Sequence, residues 1–222
     1  MKKLLFLAGC VAVAVLLIWK LFAGASAPEA AVFHIPPPAF SSAASEITDE
    51  SLPILVNSSH SVSGEPAKLM QAYPAVSVKE TGIMLHPDAL EALKAMFDAA
   101  KKENIEGLYL SSGYRSYDEQ KQIYEQAQDK RYVQPPDHSE HQTGLAADIL
   151  ALDVSMERFG NSKQGRWLAQ NAWHFGFILR YPEGKEHITG IAYEPWHFRY
   201  IGQPHAQVCF ENNLCLEEYL QK

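Results

Sequence analysis

The sequence predicts an α+β domain, a small and mostly antiparallel sheet with helices packed on it. Strand-like apolar runs recur at residues 107–112, 145–152 and 177–181. Stretches with helical spacing of apolar residues lie among them. The two kinds do not alternate regularly, as a parallel sheet with crossover helices would require. At 222 residues, 47% hydrophobic and 20% charged, the chain can form one full core and still carry an extension.

Taken in order, the chain opens with Lys2-Lys3 and a long apolar run, interrupted by Lys20 and ending near Ala25-Ser26-Ala27. That pattern fits a cleaved signal peptide with a small-residue cleavage site. It also fits an uncleaved anchor, because about 20 apolar residues span a bilayer. We favour the anchor over residues 1–25. Both readings export the remainder to the extracytoplasmic side of a membrane. Residues 26–50 are rich in Ala, Ser and Pro, with Pro36-Pro37-Pro38 at their centre, and read as a spacer. The domain is expected over 52–222, beginning with the apolar run 52–57 as a first strand. Residues 58–80 read as irregular.

Residues 87–103 form the first clear helix. Leu90, Leu93, Phe97 and Ala100 fall on one face, and Lys101-Lys102 suit the negative end of the helix dipole. The run 107–112 is a strand, and Gly113 turns the chain sharply. Ser116 with Glu119 is a capping box, which starts a helix at Tyr117 that runs to about residue 128. A loop over 131–138 leads to the strand 145–152. Ser162 or Asn161 caps a helix reaching His174, with Gly176 past its end. A strand over 177–181, a turn over 182–185 and a last strand within 194–200 follow. Residues 204–220 close the chain mostly as helix. Cys209 and Cys215 fall there and read as two ordinary buried thiols, with a disulfide as the alternative in an exported domain.

The formal charge is −7, and residues 1–27 hold three lysines and no acid, so the domain itself is more acidic still. No basic surface remains to track phosphates, and nucleic acid is excluded as a partner.

The chemistry gathers at Ser139-Glu140-His141-Gln142-Thr143-Gly144-Leu145-Ala146-Ala147-Asp148. Asp148 stands inside an apolar strand, where an ionised carboxylate is costly unless paired or metal-bound. Downstream, Glu194-Pro195-Trp196-His197 adds a second histidine. His141, Asp148 and His197 make a three-ligand set of the kind that catalytic rather than structural zinc uses. Imidazole with carboxylate suits zinc better than magnesium or calcium. Glu194 is then the spare carboxylate, the base for the attacking water. In a regular strand, residues three apart face opposite ways. Pro195 belongs at a strand start, edge or bulge, so Glu194 should precede the strand and turn back to the metal. Arg115, at a helix start directly after a strand, fits an oxyanion or substrate carbonyl. Gln120, about one helical turn on, could add an amide contact. Arg180, Tyr181 and Lys185 could form one wall of the site. His138, His174 and His187 read as ordinary histidines.

Together these segments resemble the LAS metallopeptidases. The SxHxxGxAxD pattern stands at 139–148 and the ExWH pattern at 194–197; SGYRS stands at 112–116. FILRYP at 177–182 and LEEYL at 216–220 look like the VanY-type D-alanyl-D-alanine carboxypeptidases in particular. The resemblance implies the LAS/Hedgehog-like zinc peptidase fold and a zinc D,D-carboxypeptidase. Such an enzyme would remove the terminal D-alanine of peptidoglycan stem pentapeptides on the outer face of a bacterial membrane. It implies one zinc held by His141, Asp148 and His197, with Glu194 as base. Arg115 would serve the transition state, and Gln120, Ser139 and Trp196 would contact substrate. An L,D-carboxypeptidase or endopeptidase of the same fold is the nearest alternative. A non-catalytic zinc module, as in the Hedgehog signalling domains, is more remote, because a binding module does not need Glu194. A metal-free wall-binding module is the remaining class.

Overall fold

The computed structural model describes residues 53–62, 64, 66 and 68–221. The anchor or signal and the spacer expected over 1–50 lie outside them. No helix among the described residues is long and apolar enough to cross a membrane.

A short hairpin-like pair, β1 (Met70–Gln71) and β2 (Met84–Leu85), comes first. Helix α1 (Pro87–Lys102) follows, with Pro87 at its start, Asp88 in the first turn and Lys101 and Lys102 in the last. Charge therefore suits the dipole at both ends. Its buried face is Ala89, Leu90, Leu93, Met96 and Ala100. Phe97, expected on that face, is only half-buried beside Met96. Strand β3 (Leu108–Ser112) leads to α2 (Tyr117–Gln126), which opens on the expected capping box: Ser116 accepts from the Glu119 N–H, and the Glu119 side chain accepts from Ser116 N–H.

The remaining elements are β4 (Ala146–Ala151), the one-turn helix α3 (Met156–Phe159) and α4 (Lys163–Asn171) capped by Ser162. A 3-10 turn (Ala172–Phe175) extends α4 to Gly176, whose φ of 81° is the left-handed stop expected there. Then come β5 (Phe177–Leu179), α5 (Glu186–Thr189), β6 (His197–Tyr200), α6 (His205–Glu211) and α7 (Leu216–Leu220).

The main sheet has the order β3-β4-β6-β5 with every pair antiparallel, as expected. Its two central strands are β4 and β6. Leu110, Ala146, Ala147, Ile149, Phe177 and Phe198 are buried on it. A second apolar cluster joins Leu55, Ile178 and Ile201 to Ala206, Cys209 and Leu216, so α6 and α7 pack onto the β5 side.

One expectation is corrected. Of the strand expected over 52–57, the described residues 53–57 form none: the backbone there makes only an isolated bridge from Asn57 to His60, and Ile54 is exposed. An apolar run without a neighbouring strand to complete its hydrogen bonds does not become sheet. Leu55 and Val56 are buried all the same. The closing segment is mostly helix, as expected, in two pieces with the break at Asn213, which takes a left-handed φ of 51°.

Cys209 and Cys215 are free, buried thiols. Burial pushes Cys209 up to about 12 and Cys215 up to about 11. The thiolate is the reactive species, so neither should alkylate in the native protein at pH 8. Peptide mapping after iodoacetamide should find no adduct on either residue, and full labelling of both after denaturation. Labelling in the native state would refute this.

Candidate metal centre

Asp148 and His197 are directly opposite each other on the central strands β4 and β6, a placement that brings side chains onto one face within contact distance. His141 arrives from the 3-10 turn Glu140–Thr143, which Gly144 stops at φ 71°. A Cβ on Gly144 would lie 2.8 Å from Leu69 and 3.2 Å from the His86 nitrogen, so only glycine fits this turn. The imidazole of His141 is fixed from behind: its Nδ1 stands 2.6 Å from the Gly113 carbonyl. That contact assigns the proton to Nδ1 and leaves Nε2 as a ligand atom. Gly113 itself cannot carry a side chain, because its Cβ would meet the Met84 carbonyl at 2.4 Å.

The three candidate ligand atoms lie within 4.8 Å of one another. His141 Nε2 is 3.3 Å from Asp148 Oδ2, and His197 Nδ1 is 3.1 Å from Asp148 Oδ1. Asp148 Oδ1 is buried and receives no hydrogen bond. A buried carboxylate oxygen without a donor, beside one imidazole nitrogen and with a second imidazole nitrogen at its partner oxygen, is what a cation would satisfy. The donor set therefore fits zinc. Burial opposes the charge of Asp148, but His141, His197 and Arg115 outweigh it and hold the carboxyl well below its usual range.

Glu194 sits in the turn before β6, as expected, and not in the strand. Its N–H donates to the Tyr181 carbonyl, and its own carbonyl accepts from the His197 N–H. This turn brings Glu194 Oε2 to 3.7 Å from His197 Nδ1. Burial pushes the carboxyl up to about 8, a range in which it can both take and return a proton near neutral pH.

Arg115 donates to Asp148 Oδ2 at 2.8 Å, to Ser112 Oγ at 3.0 Å and to Gln120 Oε1 at 3.4 Å. Gln120 is buried, and its amide nitrogen donates to the Gln134 carbonyl. Its amide is thus engaged at both ends and braces Arg115. Ser139 and Trp196 line the same cleft of about 260 Å³ with Tyr181, whose ring is 4.8 Å from that of His197. A larger cleft of about 780 Å³ lies at the start of β3, between Phe97, Lys101 and Leu152, and holds none of this cluster. Arg180 and Lys185 do not line the site: Arg180 is wholly buried behind it, and Lys185 pairs with Glu218 at 2.8 Å. His138 holds the Asn57 carbonyl at 2.7 Å.

The sequence reading missed Glu140. It is buried, with Oε2 3.4 Å from His197 Nε2 and Oε1 2.7 Å from the Arg180 Nε. Arg199 Nη1 approaches the same oxygen at 3.0 Å. Burial disfavours the charge on Glu140, and the two guanidinium groups overcome it, holding the carboxyl well below its usual range. One signal was available: the alternation of β6 places Arg199 on the same face as His197.

The VanY family, D-alanyl-D-alanine carboxypeptidase, matches residues 82–203. The chain belongs to this family. It is a hydrolase of the carboxypeptidase class. The Bacillus subtilis protein YodJ is 43% identical over 78% of this chain and 68% of its own length. A D-alanyl-D-alanine carboxypeptidase of Enterococcus faecium is 36% identical over 75% of this chain and 56% of its own length. Among solved structures, the LdcB LD-carboxypeptidase superposes with a TM-score of 0.69 at 43% identity, covering 76% of this chain and 85% of that one. VanYB in complex with D-alanine-D-alanine gives 0.65 at 34%, covering 76% and 97%. A VanY D,D-pentapeptidase mutant solved with Zn(II) gives 0.64 at 35%, covering 75% and 97%.

Proposed function

We propose that the chain releases the C-terminal D-alanine of peptidoglycan stem peptides, with one zinc held by His141, Asp148 and His197. The observation that carries this is the cluster itself: three ligands within 4.8 Å, with a buried, protonatable Glu194 beside them in one cleft. A cleft of about 260 Å³ is small for a ligand site and suits a peptide terminus. Bound zinc would polarise the scissile carbonyl and lower the pKa of the attacking water. Glu194 takes the proton of that water and returns it to the leaving amine. The guanidinium of Arg115, braced by Ser112 and Gln120, faces the developing oxyanion or the terminal carboxylate. Ser139 and Trp196 form the wall against which the peptide lies.

The family and its D,D-acting relatives support cleavage of D-Ala-D-Ala in the pentapeptide. The higher identity and TM-score of LdcB support a second reading, cleavage of the L,D bond in the tetrapeptide. Both release D-alanine and differ in the configuration of the residue before the cut. The apolar run with its flanking lysines, followed by the Pro-rich spacer, supports a place on the outer face of a bacterial membrane, within reach of the wall.

The deciding experiment incubates the purified protein with pentapeptide and with tetrapeptide, each with and without chelator, and follows loss of one alanine by mass spectrometry. We expect chelator-sensitive loss from the pentapeptide. Loss from the tetrapeptide alone assigns the L,D bond. Loss from neither overturns the carboxypeptidase reading.

A further inference from the structure

The two histidines of the centre are held from behind in different ways. His141 Nδ1 meets a backbone carbonyl, that of Gly113. His197 Nε2 meets a carboxylate, Glu140 Oε2, at 3.4 Å, near the long end of hydrogen bonding. A carboxylate behind a ligand imidazole fixes the tautomer and ring orientation and raises the basicity of the coordinating nitrogen. Glu140 has no freedom to do anything else. Its other oxygen is held by Arg180 at 2.7 Å and approached by Arg199 at 3.0 Å. Arg180 in turn makes a two-pronged pair with Glu217, at 2.9 and 2.7 Å, and Glu217 Oε1 accepts from Asn57 Nδ2 at 3.1 Å.

Arg180, Arg199 and Glu140 are essentially inaccessible to water, and Glu217 nearly so. Two carboxylates face two guanidinium groups, so the cluster behind His197 carries no net charge of its own. The chain of contacts begins at Asn57 and Glu217, outside residues 82–203 that match the family, and ends on a ligand.

We infer that Glu140 is the positioning residue of His197, and that Glu217, through Arg180, holds Glu140 in place for that purpose. Glu140 lies at the buried back of the cleft, with both its oxygens turned to His197 and the two guanidinium groups. It directs the lone pair of His197 Nδ1 at the metal, and the last helix, α7, is thereby tied to the centre. This rests on His141, Asp148 and His197 being the metal site.

The test is carried out on the full chain. In the wild-type zinc protein, nitrogen NMR of the imidazoles should show His197 metallated at Nδ1 and protonated at Nε2, with a downfield, slowly exchanging Nε2 proton. Glu140→Gln should weaken zinc binding by about 10- to 100-fold, measured by competition with a chromophoric chelator. It should also shift the visible spectrum of the cobalt form and abolish the downfield proton. Glu217→Gln should weaken zinc binding in the same direction and by less, and Glu217→Asp should recover part of the loss. Glu140→Gln leaves Arg199 uncompensated, so Glu140→Gln with Arg199→Gln is made beside it; this double variant keeps the charge balance while removing the carboxylate behind His197, and Arg199→Gln alone controls for the lost bonds to the Tyr200 and Ile54 carbonyls.

Wild-type protein that binds no zinc overturns the metal centre itself. Wild-type protein that binds zinc with His197 protonated at Nδ1 overturns the present inference alone. So do folded Glu140 variants that hold zinc within twofold of wild type with an unchanged cobalt spectrum.

Discussion

Glu194→Gln should lower kcat by about 10³- to 10⁴-fold, the upper part of the range for a lost general base, and leave zinc bound at about one equivalent. The substitution keeps the shape of the side chain and the turn that holds it, since the bonds from Glu194 N–H to Tyr181 and from His197 N–H to Glu194 are backbone contacts. What it removes is the one buried carboxyl of the cleft that burial keeps near neutral pH, at about 8, rather than far below it. An amide can neither take a proton from water nor return one to the leaving amine. His141→Ala or His197→Ala should instead lose the zinc, because each deletes a ligand. The two kinds of inactive protein are separated by metal analysis, and calorimetry should show Glu194→Gln still binding peptide. A Glu194→Gln protein that turns over within tenfold of wild type would refute the role of this residue. One that has lost its zinc would move Glu194 into the ligand set.

The clustering of His141, Asp148 and His197 with Glu194 was legible because metal chemistry is specific about residue types. A buried aspartate in an apolar strand is conspicuous, and Pro195 marked the place where a strand could not yet have begun. The capping box at Ser116, the glycine stops at Gly144 and Gly176 and the long helix α1 were legible for a related reason: each is set by interactions within a few residues. What stayed hidden depends on partners far along the chain. The Arg180–Glu140 and Arg180–Glu217 contacts span 40 and 37 residues. Charged residues are by default exposed, so FILRY reads as a strand with a charged end and not as the anchor of a buried network. Residues 52–57 look like a strand because strand propensity is local, while the neighbour a strand needs is not. The one-turn helices α3 and α5 are shorter than any periodicity can reveal. Gly113 read as a turn residue, whereas its close approach to the Met84 carbonyl exists only once β2 has docked beside it.

Arg180→Met should destabilise the domain by about 3–5 kcal/mol, the usual result of removing one partner from a buried pair. Set against a typical total of about 5–15 kcal/mol, that is enough to leave much of the protein unfolded at its working temperature. Methionine fills the volume, so the loss is electrostatic: Glu217 keeps only Asn57, and Glu140 keeps only Arg199 and His197. The pH dependence identifies the cause. Burial pushes Glu217 up, and its hydrogen bonds to Arg180 outweigh that and hold it below its ordinary value of 4.5. A carboxylate depressed in the folded state contributes stability above its unfolded pKa, and that contribution is lost as pH falls through the folded pKa. Wild-type stability from this pair is therefore complete at neutral pH and declines below about pH 4.5. In Arg180→Met the depression is gone, so the gap between the two proteins should be widest at pH 7 and narrow toward pH 3. Urea midpoints at pH 7, 5 and 3.5 would measure it. Adding Glu217→Gln to Arg180→Met should recover part of the stability, because it removes the charge left unpaired. A gap that stays constant with pH, or no recovery in the double variant, would show that Arg180 acts through packing and not through its charge.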